Sequence, residues 1–83
     1  MGEPWDELEY RELLEAFPLT GPAPFGEGLQ RLAGRLNHSI GGTKAQWDDA
    51  HTYCVGSASS QASEGLRAYL DRMQLCGRAP GAA

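Results

Sequence analysis

His38, His51, Cys54 and Cys76 are the side chains of this 83-residue chain best suited to hold a transition metal. Zinc modules place ligands in close pairs at both ends of a loop, and here only His51 and Cys54 are close. No metal is therefore expected. Asp48, Asp49 and His51 stand near enough for an acid–base cluster, but they read more simply as a solvated helix end. "GGTK" at 41–44 has the glycine and lysine of a phosphate loop, without the G-x-x-x-x-G-K-[ST] order or a preceding strand. A serine or cysteine nucleophile needs a base and an orienting group converging in a pocket, and no motif announces one. The expectation is a non-enzyme with no cofactor and no small-molecule substrate.

Asn37-His38-Ser39 matches a glycosylation sequon. It has meaning only in a secreted chain, and the opening "MGEPWDELEY" is acidic and polar where a secretory signal is basic and then apolar. No apolar run approaches the roughly 20 residues that cross a bilayer. These features predict no membrane contact and an intracellular location, in cytoplasm, nucleus or nucleoid. Two cysteines are too few for a disulfide framework. They read as two buried or half-buried thiols. A single disulfide stays open, since each lies near the end of a predicted helix.

The net charge of −4 conceals a segregation. Residues 1–27 carry a net −6, residues 28–47 a net +3 from Arg31, Arg35 and Lys44, and residues 48–83 a net −1. The positive zone is the one place where a phosphate backbone would be attracted.

Helices must position these groups. The first is predicted from about Pro4 or Trp5 to Phe17. Proline suits a first helical turn and acids suit the positive end of the helix dipole. Tyr10, Leu13, Leu14 and Phe17 make its apolar stripe, extended by Leu8 and Trp5. Pro18 stops it. "PLTGPAPFGEG" is a loop, with Phe25 expected to fold back onto the core. A second helix spans about Glu27–Leu36, burying Leu29, Leu32, Ala33 and Leu36, with Asn37 as its cap. Arg31 and Arg35 lie on its other side. The third helix can start at Ser39, placing Gly41 and Gly42 inside the first turn at about 1 kcal/mol each. It can also start at Thr43, where Thr43 and Gln46 form a capping box, and local chemistry favours this start. It runs to about Tyr53 or Cys54. A fourth helix is predicted over about Ser60–Leu75, with Gly77 as its stop and an exposed Arg67–Asp71 pair.

Two stretches carry a family likeness. "WDELEYRELLEAFP" resembles the first helix of Myb/SANT-type domains, and "LQRLAGRLNHSIGGTKAQW" resembles their second and third helices. Leu32, Ala33 and Leu36 match the second helix, Asn37-His38-Ser39 the turn, and Thr43 and Trp47 the third-helix core positions. The resemblance covers residues 5–47 and implies a helix-turn-helix. Thr43 stands where the family has Val or Ile, and Asp48 and Asp49 follow on the third helix. With its acidic first helix, the chain is closer to the protein-binding branch.

The expected architecture is all-α. It comprises a three-helix, helix-turn-helix-like bundle and a fourth, amphipathic C-terminal helix, in one domain over 1–77 with a flexible tail over 78–83. The leading function is a helical interaction module that binds a partner protein or itself in a regulatory complex. Its contact surface is the stripe Leu66, Tyr69, Leu70 and Met73. The other reading is DNA binding, with Arg31 and Arg35 on phosphates and Lys44 and Gln46 facing the groove.

Overall fold

α1 starts where a capping box closes. In a computed structural model that describes residues 4–57 and 60–76, the Asp6 carboxylate accepts from the Glu9 amide at 2.9 Å. The Glu9 carboxylate in turn accepts from the Asp6 amide at 3.1 Å. The helix therefore covers Glu7–Ala16, and Pro4 and Trp5 precede it rather than forming its first turn. Tyr10, Leu13 and Leu14 are buried. Leu8 is exposed, because a 3.6-residue repeat turns it away from that stripe.

The loop after α1 packs Leu19 and Ala23 against the core and buries Pro24 fully, while Phe25 is 68% exposed. Phe25 has extended backbone at the start of α2. Neighbouring side chains on extended backbone point to opposite sides, so burying Pro24 turns Phe25 outward. Gly26 follows at φ 64°, a left-handed conformation that glycine adopts at no steric cost.

α2 spans Gly26–Leu36 and buries Leu29, Leu32, Ala33 and Leu36. Asn37 ends it in the left-handed conformation, and the His38 amide donates back to the Ala33 carbonyl at 3.0 Å. Only Asn37, His38 and Ser39 separate α2 from α3, which spans Ile40–Cys54.

Ser39, not Thr43, caps α3. The Ser39 hydroxyl accepts from the Gly42 amide at 2.9 Å. Thr43 is 0% exposed and lies on the same face as Trp47, Ala50 and Cys54. A residue on that buried face belongs inside the helix, so the onset moves four positions earlier. The Thr43 hydroxyl then donates to the Ser39 carbonyl at 2.8 Å. Gly42 suits the tight start, because a Cβ there would meet the Ser39 hydroxyl oxygen at 2.8 Å.

α4 spans Glu64–Met73, shorter at both ends than its apolar spacing predicts. The Ser63 hydroxyl caps it by accepting from the Leu66 amide, and Gln74, in the left-handed conformation, ends it. The predicted stop at Gly77 and the tail 78–83 lie outside the described residues. Both carboxylate oxygens of Asp71 lie 2.9 Å from the Tyr53 hydroxyl of α3, which donates to them, and Asp71 does not pair with Arg67.

One apolar cluster takes residues from all four helices, among them Tyr10, Leu13, Leu36, Trp47, Leu66 and Leu70. The indole N–H of Trp47 donates to the Phe17 carbonyl at 2.7 Å, fixing α3 against the end of α1. Cys54 and Cys76, read from the sequence as separate thiols, are joined by a disulfide with their Cα atoms 4.9 Å apart. Among the described residues there is no strand, and no helix is long and apolar enough to cross a membrane.

Candidate interaction surface

The stripe expected to meet a partner serves the domain's own core. Leu66, Tyr69 and Leu70 are buried against α1 and α3, and Met73 alone of the four is exposed, at 48%. An amphipathic helix covers its apolar face with whatever lies nearest, and here two helices of the same chain do so.

The four candidate DNA contacts lie on α2 and α3, and two of the three cations are paired with carboxylates of the same chain. The Arg35 guanidinium holds Glu12 of α1 at 3.0 Å. Lys44 holds Asp48, one turn along α3, at 2.9 Å. Arg31 lines a shallow surface depression with Glu27 and Gln30, and no carboxylate pairs with it among the described residues. Gln46 is half-buried. Exposed ion pairs contribute little stability, but each one cancels the local charge that a phosphate would seek.

The acids of α1 are likewise paired within the chain. Glu12 pairs with Arg35 of α2, Glu7 with Arg72 of α4, and Arg11 lies 3.9 Å from Glu15. Glu9 divides its carboxylate, with one oxygen capping α1 and the other 3.0 Å from Nε2 of His38. That imidazole is 4% exposed and stacks on Trp5 at a centroid distance of 4.2 Å. Sequence spacing could not join Glu9 to His38, which lie on different elements. The D-x-x-E spacing of Asp6 and Glu9 could have marked the cap, though the sequence-based expectation treats these acids only as partners of the helix dipole, and it carries no sign of the second bond.

The candidate metal ligands do not assemble. Cys54 and Cys76 are bonded to each other, His38 engages Glu9, and His51 stacks on Trp47 with ring centroids 5.2 Å apart. No group of three possible ligands occurs among the described residues. Within the Asp48–Asp49–His51 trio, the Asp49 carboxyl has its ionisation displaced upward. Burial raises its pKa first and the neighbouring Asp48 charge raises it further, while the Gln61 amide opposes both.

Among the described residues, the large apolar side chains left at the surface are Phe25, Val55, Leu8, Ile40 and Met73. Of these, Met73 belongs to the stripe expected from the sequence to meet a partner. Compared with family models, curated proteins and solved structures, the chain matches none.

Proposed function

We infer that this chain is a non-enzymatic helical interaction module that binds a partner protein. The observation that carries the reading is the commitment of Arg35 and Lys44 to carboxylates of the same chain. A DNA backbone would have to displace Glu12 and Asp48 to recruit those cations, against a net charge of −4. The acidic first helix is in the same position, with Glu7, Glu9 and Glu12 holding neighbouring elements. What the surface offers instead is apolar contact area, with Phe25 the largest contributor. Aromatic side chains are enriched at the buried centres of protein interfaces. The three-residue connector between α2 and α3 supports a helix-turn-helix-like reading of this region, on the Myb/SANT-like pattern, used as scaffold.

Anisotropy of labelled duplex DNA, titrated at low and then moderate salt, separates the two readings. On this one, the protein leaves the anisotropy unchanged. Salt-sensitive micromolar binding that weakens in Arg31→Ala and Arg35→Ala would replace it with DNA recognition. A partner retained on the immobilised chain should be released by free chain and lost with Phe25→Glu.

A further inference from the structure

Cys54 closes the last turn of α3, and Cys76 lies two residues beyond the Gln74 cap of α4. We propose that their disulfide is a redox gate on α4. Oxidised, it holds the helix over the core. Reduced, it releases α4 as a unit while α1, α2 and α3 stay assembled.

Two independent sets of contacts carry this. The polar ties among the first three helices bypass α4 altogether: Glu12 to Arg35, Glu9 to His38, and the Trp47 indole to the Phe17 carbonyl. The polar ties of α4 lie largely at the surface, where Tyr53 meets Asp71 and Arg72 meets Glu7. The Tyr10–Ser63 hydroxyl contact, at 3.4 Å, is long. A ten-residue helix does not persist alone in water, so α4 depends on the apolar contact of Leu66, Tyr69 and Leu70 and on the covalent link. That link spans a sequence separation of 22, and closing such a loop restricts the opened state.

The reductant is a dithiol. Its thiolate attacks the sulfur of the half-buried Cys76 rather than that of Cys54, which is 9% exposed. The Cys54–Cys76 bond breaks, and Cys54 leaves as a thiolate and takes a proton. The second thiol of the reductant then displaces Cys76 from the mixed disulfide. Two electrons and two protons have moved, giving two protein thiols and the oxidised reductant. Release of α4 uncovers Leu66, Tyr69 and Leu70 together with Tyr10, whose ring meets that of Tyr69. The gate is thus closed in an oxidising compartment and open in a reducing one. It stands apart from the partner-binding reading, since it concerns only how α4 is held.

Amide hydrogen exchange on the whole chain, oxidised and then treated with dithiothreitol, tests it. The α4 amides from Leu66 to Met73 should exchange on the order of a hundredfold faster after reduction, the loop-closure restraint expressed as a ratio. The α2 amides should keep their rates. Cys76→Ser without reductant should reproduce the pattern, and if that variant fails to fold, the treated wild type still decides. Unchanged α4 rates, an equal acceleration in every helix, or two titratable thiols in the air-oxidised native chain would each overturn the proposal.

Discussion

The indole of Trp5 lies nearly parallel to the imidazole of His38, their planes 8° apart, so a residue before α1 covers the turn between α2 and α3. Glu9 completes the arrangement from the edge of the ring. The entry of α1 and the α2–α3 connector are therefore one structural unit. Glu9→Ala removes both the cap partner and the His38 contact, and should cost about 1–2 kcal/mol in urea denaturation. Glu9→Gln keeps an oxygen for the Asp6 amide and should cost less. Equal losses in the two variants would mean that the cap, not the carboxylate charge, is irrelevant to this corner.

The onset of α3 gives a second test. Ser39→Ala removes the hydroxyl that accepts from Gly42, and should destabilise the chain by about 1 kcal/mol. Gln46→Ala should change stability by no more than about 0.5 kcal/mol, because the Thr43–Gln46 box is not formed. The reverse order of effects would restore the later start.

Along α4 the burial pattern predicts opposite responses from neighbours three residues apart. Leu70 is 0% exposed, and Leu70→Ala should cost about 2–5 kcal/mol. Met73→Ala should stay within about 0.5 kcal/mol. Thermal unfolding of the oxidised protein compares them directly. A large effect at Met73 would show that the outer end of the stripe is covered in solution.

Asp49 carries a pH dependence of defined sign. Its pKa is raised in the folded chain, so the folded state holds that proton more tightly than the unfolded one. The associated stability is fully present below the ordinary aspartate value of about 3.9 and is lost as pH rises through the folded-state value. At neutral pH the charge is a liability. Asp49→Asn should therefore raise the melting temperature at pH 7, and the gain should shrink as the pH falls through the raised folded-state value and be gone below the ordinary aspartate value of about 3.9. A gain that is constant across this range would assign the effect to something other than ionisation.

Much of the architecture is written in local sequence. Helix-period stripes at Tyr10–Leu13–Leu14, Leu29–Leu32–Leu36 and Leu66–Tyr69–Leu70 mark three helices, and Asn37 marks the end of α2, because these signals act within one or two turns of chain. Tertiary structure decided what lies beyond that reach. It buried Thr43 and so chose Ser39 as the cap. It buried Pro24 and left Phe25 outside, and it spent the α4 stripe on α1 and α3. It also joined Glu12 to Arg35, Glu9 to His38 and Cys54 to Cys76. Periodicity says that a helix has an apolar face and where its charges stand. Which surface covers that face, and which charge meets which, depends on how the helices cross, and no spacing within a single helix encodes that.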